Sequence, residues 1–251
     1  MTRYIREIAT RILDRAGYAV VPKWRLEKLP MATYMRELFD LLKIGCVLDV
    51  GANVGQYRDF LRTHVGYQGQ IISFEPIQKN ATLLERRAES DSKWDIHPIA
   101  LGDQNTELFL NVMEHDRFSS FLAPNNAPVP EFESVNVVRE RQITKVRRLD
   151  DWASEEGCKY DLRRAYLKLD TQGFDINVLR GAKQLWPKIA AMQSEVSCLP
   201  IYEGSMPMPE AVRFFNEAGF DAGEMFTVSR DRALRAVEFD CILVNRNLAA
   251  A

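Results

Sequence analysis

The sequence predicts an α/β fold with a mostly parallel sheet that ends in an antiparallel hairpin. Two observations support this prediction. Apolar strands of the buried type, at Cys46–Val50, 71–74 and Ala165–Leu169, are each followed by a segment with the spacing of an amphipathic helix, as in β-α units. The last two predicted strands, 220–228 and 237–244, have no helix between them. Strands joined so closely must be antiparallel, since a parallel crossover needs about a dozen residues.

The length of 251 residues fits one large domain preceded by a short extension. We expect an N-terminal helical extension over residues 1–43 and the main domain over residues 44–251. Residues 1–16 place apolar side chains at helical spacing between arginines, and Gly17 follows, so this stretch predicts a basic amphipathic helix. We expect the helix to pack on the domain or on a second subunit of a homodimer; peripheral contact with a membrane surface is the alternative.

Charge and cysteine content narrow the class of protein. The 33 basic and 35 acidic residues nearly balance, which argues against a nucleic-acid partner. The four cysteines are isolated from one another and from histidines, as is typical of buried thiols in a reducing compartment. The sequence has no apolar run of the ~20 residues that span a bilayer, and its N-terminus lacks an apolar signal core. We therefore expect a cytoplasmic protein.

The stretch around Gly51 predicts a ligand-binding turn. The strand Cys46–Val50 breaks at Gly51, small residues follow as far as Gly55, and helical spacing then resumes. Glycine lets backbone N–H groups approach a ligand, and the positive end of the following helix lies at the same place. Glu75 follows the next strand about 20 residues later, from where a carboxylate reaches ribose hydroxyls. The pattern indicates an adenosine-containing cofactor, although it lacks the third glycine of the dinucleotide fingerprint.

The middle of the chain predicts further strands and one long loop. A third strand is expected over residues 94–101, and it ends close to Asp103, whose carboxylate is placed to accept from an adenine amino group; an ordinary turn is the alternative. Residues 106–112 and 135–146 alternate as strands do. The polar, proline-rich stretch between them contains His115 and is typical of a lid or a binding loop.

A second informative stretch lies around Asp170. This residue follows the strand Ala165–Leu169, and a turn at Gly173 leads into a helix. Glu195 stands near the end of the next predicted strand. Because the carboxyl ends of parallel strands meet at one edge of a sheet, we expect both carboxylates at the edge that carries the glycine turn. The alternative for Asp170 is a structural role as the N-cap of the following helix.

The motifs VLDVGANVGQY, FEP, IALGD, RLDD, LKLDTQGFDINVLRGA and CILVN, in this order and spacing, resemble those of the FkbM family of methyltransferases. The resemblance implies the class I methyltransferase fold, which is Rossmann-like, with S-adenosylmethionine as the cofactor. It also implies O-methylation, commonly of sugar hydroxyls in bacterial glycans, glycolipids and secondary metabolites. The implied cofactor-binding residues are Asp49, Gly51, Asn53, Val54, Gly55, Glu75, Pro76, Leu101, Asp103 and Asp170. Among these, Glu75 is expected to hold the ribose hydroxyls and Asp103 to face the adenine.

Removal of the acceptor proton needs a base within hydrogen-bond reach of the hydroxyl group. The sequence offers three candidate catalytic residues, Asp170, Glu195 and His115. Gln172 stands where many family members have an acidic residue, and a neutral amide cannot take the proton. This departure shifts the weight to Asp170 and Glu195, and of these two Asp170 is the expected base. The sequence shows no cluster of residues that predicts a metal site, and it does not identify the acceptor.

Two other functions stay open at this point. An NAD-linked oxidoreductase can use the same glycine turn and Glu75, but the missing third glycine and the terminal hairpin count against it. A catalytically silent scaffold can keep the fold, but the intact cofactor positions count against that interpretation. An O-methyltransferase that acts on a sugar or glycan is the function that the sequence favours.

Overall fold

The computed structural model describes residues 13, 15–18 and 21–249. Most of the basic amphipathic helix expected over residues 1–16 lies outside this part of the chain, and that helix stays a prediction. The first described helices are α1 (Lys23–Leu26) and α2 (Leu29–Leu42). Helix α2 has Pro30 in its first turn, where a missing N–H costs nothing, and buries one apolar face against the sheet.

Ten strands form two sheets in the described part of the chain. They are β1 (Cys46–Val50), β2 (Gln70–Phe74), β3 (Trp94–His97), β4 (Ala100–Gly102), β5 (Thr106–Met113), β6 (Val138–Arg148), β7 (Ala165–Leu169), β8 (Ile189–Ser197), β9 (Phe220–Arg230) and β10 (Ala236–Asn245). The large sheet has seven strands in the order β3-β2-β1-β7-β8-β10-β9, and β4, β6 and β5 form a small sheet. The first five strands of the large sheet are parallel, so the predicted fold class is confirmed.

Helices cover both faces of the large sheet. After α2 they are α3 (Gln56–Phe60), which continues as a π-helical turn over Leu61–Val65, α4 (Gln78–Ala88), α5 (Leu149–Glu155), α6 (Asp175–Arg180), α7 (Met208–Glu217) and α8 (Arg246–Ala249). Side chains of β1 alternate between two apolar clusters, with Leu48 and Val50 in one and Val47 in the other. Burial of both faces explains why the parallel strands are almost continuously apolar.

The prediction of one continuous third strand over residues 94–101 is wrong. This stretch is divided between β3, which pairs with β2, and β4, which pairs with β6 in the small sheet. The break falls at Pro98, which has no backbone N–H to donate to a neighbouring strand. The N–H of Ile99 donates to the carbonyl of His97 at 2.9 Å and closes the turn between the two strands.

The terminal hairpin is confirmed, because β10 is antiparallel to both β8 and β9. Reversal of β10 brings the start of that strand, with Glu238 and Asp240, to the edge where the parallel strands end. Glu195 of β8 pairs directly with Asp240. Among the helices of the described residues, none combines the length and the apolar character that crossing a membrane requires.

Candidate active site

A cavity of about 960 Å³ opens at the carboxyl edge of the parallel strands. One wall comes from the turn after β1 and from Glu75 at the end of β2. The opposite wall comes from the end of β9 and the start of β10, and phenylalanines such as Phe118 of the loop after β5 cover it. Pockets that hold ligands of drug size have volumes of about 300–1,000 Å³. The cavity is therefore large enough for a nucleoside cofactor and part of a second molecule.

The turn after β1 requires glycine at its first position. Gly51 has a φ of +83°, and a Cβ built on it lies 2.0 Å from the carbonyl oxygen of Asp170. The N–H groups of Gly51 and Ala52 both donate to the carbonyl of Phe74, at 3.0 and 3.1 Å. The glycine thus brings the backbones of β1, β2 and β7 together at the cavity, where a larger residue has no room.

Glu75 is held rigidly at the end of β2. One carboxylate oxygen accepts from the N–H of Asn53 and the other from the N–H of Ile77, each at 2.8 Å. Burial raises the pKa of Glu75 to about 7, although these two hydrogen bonds favour the charged form.

The same carboxylate fits the expected cofactor. Each oxygen of Glu75 keeps a lone pair beyond its one backbone hydrogen bond, and Glu75 faces the cavity. Two adjacent ribose hydroxyls can donate to this side chain. The turn residues Gly51, Ala52 and Asn53 line the cavity together with Glu75, so the residues present fit the nucleoside part of S-adenosylmethionine.

A row of polar side chains crosses the sheet beneath the cavity. Asp49, Lys168 and Gln193 are register partners on β1, β7 and β8. The ammonium of Lys168 lies 3.0 Å from Oδ2 of Asp170 and 5.3 Å from the ring centroid of Tyr57. Burial alone lowers the pKa of Lys168, but the carboxylates of Asp170 and its neighbours outweigh burial and raise it. Lys168 therefore stays protonated. It can bind carboxylates, but it cannot act as a base.

Asp49 is almost fully buried and accepts a hydrogen bond from Ser73 at 2.9 Å. Burial raises the pKa of Asp49 to about 6, while the positive charge of Lys168 opposes the rise. Ser73 in turn accepts from the indole N–H of Trp94 at 2.9 Å. This chain of hydrogen bonds fixes the rotamer of Asp49, so its carboxylate faces the cavity in one orientation.

The two predicted catalytic carboxylates do come together. The side-chain amide of Gln172 donates to Oδ1 of Asp170 at 2.9 Å and to Oε2 of Glu195 at 3.0 Å. Burial raises the pKa of Glu195 well above its ordinary value, and the negative charges of Glu238 and Asp170 raise it further. Among the described residues, no group of three or more His, Cys, Asp or Glu side chains is arranged to hold a metal ion.

Asp170 is not the N-cap of the helix that follows it, so that alternative is wrong. Phe174 occupies the N-cap position of α6, and no side chain caps the helix there. The first helical residue, Asp175, accepts instead from the N–H of Thr171 at 2.8 Å and from the hydroxyl of Ser194 at 2.7 Å. Asp175 thus connects the turn to β8, while Asp170 has no capping role and lines the cavity.

The structure brings together some of the predicted site residues and separates others. Those that line the cavity are Asp49, Gly51, Asn53, Glu75, Pro76, Leu101, Asp170 and Glu195. Val54, Gly55, Asp103 and His115 are not among its lining residues. Gly55 faces helix α4 and the start of β3, where a Cβ meets Arg87 and Leu84 of the helix and Trp94 of the strand. His115 is exposed and lies in a shallow depression beside Lys79 and Arg139. This depression adjoins the cavity, since the two share lining residues, namely Asn53, Gln56, Asp116 and Arg117.

Sequence reasoning missed Lys168, Gln193, Glu238 and Asp240, all of which line the cavity. Lys168 carried a signal, since a lysine between two leucines in a buried strand needs a charged partner. Glu238 and Asp240 gave no comparable signal, because their position depends on the reversed direction of β10. Burial raises the pKa of Glu238 to about 7.

The comparisons with known proteins agree with one another. Residues 49–222 match the family model described as the methyltransferase FkbM domain. The chain is 28% identical over 171 residues to the 2-O-methyltransferase NoeI of Sinorhizobium fredii, an alignment that covers 64% of this chain and 67% of that protein.

Two solved structures are also similar. Methyltransferase FkbM from Methylobacillus flagellatus aligns at 15% identity and a TM-score of 0.48, over 80% of this chain and 43% of that chain. This chain therefore spans less than half the length of that protein. A SAM-dependent methyltransferase from Aquifex aeolicus aligns at 13% identity and a TM-score of 0.42, over 89% of this chain and 94% of that one.

Proposed function

Because the chain belongs to the FkbM family of methyltransferases, we propose that it methylates a sugar hydroxyl in a glycan, a glycolipid or a glycosylated metabolite. Members of this family are methyltransferases that depend on S-adenosylmethionine, so family membership argues against the alternative of an NAD-linked oxidoreductase. The class of acceptor and the roles of individual residues are the proposal.

The donor side of the cavity is assigned to the turn after β1 and to Glu75. The Glu75 carboxylate is held by two backbone N–H groups and is the acceptor for the ribose hydroxyls. Asp49, near the fixed cation Lys168, faces the methionine end. When bound, S-adenosylmethionine supplies a methyl group on a sulfonium, which makes the thioether a good leaving group.

The observation that carries the proposal is the paired carboxylates of Asp170 and Glu195 on the acceptor side of the cavity. Displacement at the methyl group requires an aligned hydroxyl oxygen, and its proton must leave as the bond forms. Both oxygens of Asp170 are engaged, one by Lys168 and one by Gln172. Asp170 is therefore suited to orient the hydroxyl group.

We assign the role of base to Glu195, because its contact with Gln172 involves one oxygen, Oε2, whereas both oxygens of Asp170 are engaged. Burial also raises the pKa of Glu195 above its ordinary value. The assignment of Asp170 as the base, which the sequence favoured, stays an untested prediction beside this one. His115 lines the adjoining depression and is not among the residues that line the cavity with Asp170 and Glu195.

Two features support a sugar as the acceptor. The cavity combines carboxylates with aromatic side chains, namely Phe118, Phe121, Phe132 and Phe226, and a sugar ring offers hydroxyls to the former and C–H faces to the latter. The similar protein NoeI is named a 2-O-methyltransferase, which supports oxygen as the methylated atom.

The test uses S-adenosylmethionine with an isotopically labelled methyl group. The protein is incubated with glycolipid and glycan extracts, with free monosaccharides, and with a catechol and a serine peptide as acceptors that are not sugars. After acid hydrolysis, mass spectrometry is expected to find the label on a monosaccharide as an O-methyl ether. Glu75→Ala is the matched control, since loss of a charge-assisted contact weakens cofactor binding by about 1.5 to 3 kcal/mol.

Label on the catechol, on the peptide or on the lipid part alone would contradict the sugar acceptor and leave the methyltransferase activity intact. Equal labelling by the wild-type protein and by Glu75→Ala would contradict the assignment of the donor side.

A further inference from the structure

We propose that Gln172 is a positioning residue that holds Asp170 and Glu195 together as a pair and joins the pair to two loops at the acceptor side of the cavity. This inference rests on the proposed function, because it concerns the carboxylates to which that function assigns the acceptor hydroxyl. In the sequence, Gln172 was notable only because an amide replaces the acidic residue that many family members have and so cannot act as a base.

The partners of Gln172 fix the direction of its side-chain amide. Nε2 lies 2.9 Å from Oδ1 of Asp170 and 3.0 Å from Oε2 of Glu195, and both of these carboxylate oxygens only accept while ionised. Oε1 lies 2.8 Å from the hydroxyl of Tyr202. An amide turned the other way places its oxygen against two carboxylates, so only one orientation satisfies all three contacts.

The same residue is tied to both loops. Its backbone carbonyl accepts from the hydroxyl of Ser120 at 2.7 Å, in the loop after β5. The hydroxyl of Tyr202, in the loop after β8, lies 2.8 Å from Oε1 of Gln172 and 2.8 Å from the carbonyl of Phe118. Tyr202 has one hydroxyl proton, which it can donate either to Oε1 of Gln172 or to the carbonyl of Phe118. The hydroxyl therefore connects Gln172 to the loop after β5.

The backbone of Gln172 shows that its place is set by these contacts. Its φ is +54°, in the left-handed region that is unfavourable for a residue with a side chain. Glycine or asparagine avoids most of that cost, and Gly173 follows with a φ of +86°. The strained conformation persists because four side-chain and backbone hydrogen bonds hold it.

The charge of the neighbours explains why an amide suits this position. The groups around Glu195 are Lys168 of β7, Asp170 just after that strand, Glu238 and Asp240 of β10, and Asp175 of α6. Lys168 is the single cation in that group. A neutral amide adds two hydrogen-bond donors without adding another negative charge. A glutamate at position 172 places a further carboxylate against two that already repel each other.

The test is a carboxyl titration of the apo-protein by ¹³C NMR, with glutamate labelled at the side-chain carboxyl carbon and the Glu195 signal assigned with Glu195→Gln. Removal of an N–H donor disfavours the charged form, so Gln172→Ala is expected to raise the titration midpoint of Glu195. Gln172→Glu is expected to raise it further, although glutamate is nearly isosteric with glutamine. Gln68→Glu adds the same charge at an exposed, remote site and is expected to leave the midpoint unchanged.

If Gln172 only fills space, the nearly isosteric Gln172→Glu is expected to have the same Glu195 titration midpoint as the wild-type protein. Equal Glu195 midpoints in the wild-type protein, Gln172→Ala and Gln172→Glu overturn the inference. Should Gln172→Glu fail to fold, the comparison of Gln172→Ala with the wild-type protein decides alone.

The titration needs neither cofactor nor acceptor, so it is independent of the test of function. If the Glu195 midpoint rises from the wild-type protein to Gln172→Ala to Gln172→Glu but no sugar is labelled, the proposed function is wrong and the role of Gln172 stands. If a sugar is labelled but the three midpoints are equal, the proposed function stands and the role of Gln172 is wrong.

Discussion

Lys168 of β7 and Asp170, which directly follows that strand, form an ion pair in which the cation is buried and the anion is half exposed, with side-chain exposures of 4% and 42%. The pair joins the apolar interior of the sheet to the cavity. Lys168 also lowers the pKa values of Asp49 and Glu195, which burial raises.

We expect Lys168→Met to fill the space of the lysine and to leave its carboxylate partners without a cation. Loss of one partner of a fully buried pair costs about 3 to 5 kcal/mol, and since water reaches Asp170, a loss of roughly 2 kcal/mol is expected here. Urea denaturation near neutral pH measures it. Lys183→Met, at an exposed position, is the control and is expected to change stability by less than about 0.5 kcal/mol. Equal stability of the two variants would contradict the structural role of Lys168.

The stability of the apo-protein is expected to fall as the pH rises from about 4.5 to about 7. Burial raises the pKa of Glu75 from 4.5 to about 7 and that of Glu238 from 4.5 to about 7. In this window the folded protein therefore binds more protons than the unfolded chain, and the free energy of unfolding decreases with pH. Each unit of pKa shift corresponds to about 1.4 kcal/mol.

Urea unfolding midpoints at intervals between pH 4.5 and 8 provide the measurement. Glu75→Gln removes one of the titrating groups, so its midpoint is expected to depend less on pH than that of the wild-type protein. A wild-type midpoint that increases across this range would show that groups outside the cavity dominate the pH dependence.

We expect Glu195→Gln to reduce turnover by about 100-fold or more, with S-adenosylmethionine affinity nearly unchanged, because a general base contributes ~10²- to 10⁴-fold. Asp170→Asn keeps the shape of the side chain but breaks the ion pair with Lys168, so it is expected to lower both turnover and stability. The two variants are compared on one acceptor, at saturating cofactor and over a range of pH. Near wild-type turnover in Glu195→Gln together with an inactive Asp170→Asn assigns the base to Asp170.

Gly51→Ala is expected to destabilise the protein far more than Gly66→Ala, although both glycines have a similar φ, +83° and +85°. A Cβ at position 51 lies 2.0 Å from the carbonyl oxygen of Asp170, whereas a Cβ at position 66 meets nothing within 4 Å. Gly66→Ala therefore costs only the conformational strain, about 1 to 2 kcal/mol. Thermal unfolding of both variants is the measurement. Similar losses in the two would mean that β1 and β7 can separate at the cavity without cost.

The part of the cavity that we assign to the methyl donor could be predicted from the sequence, because it depends on local signals. A glycine turn after a buried strand and an acid after the next strand define it, and Gly51 and Glu75 do lie together at the cavity. The acceptor half depends on contacts between distant segments. The hydrogen bond from Tyr202 to Gln172 and the pairing of Asp240 with Glu195 follow from loop paths and from strand direction, which no local spacing encodes. Pro98 is an intermediate case, since the sequence showed the proline but not the change of sheet that it causes.

The two halves of the cavity come from different stretches of the chain, and this separation bears on how such a protein diversifies. The wall that we assign to the donor is formed within residues 49–101. Much of the remaining lining comes from later segments, namely Asp170 and Glu195 at the ends of β7 and β8, the loop after β5, and the hairpin of β9 and β10. Loops and hairpin ends accept insertions and exchanges that buried parallel strands do not. On the proposed assignment, remodelling of the later segments changes the acceptor, while the first wall and the methyl donor that it holds stay the same.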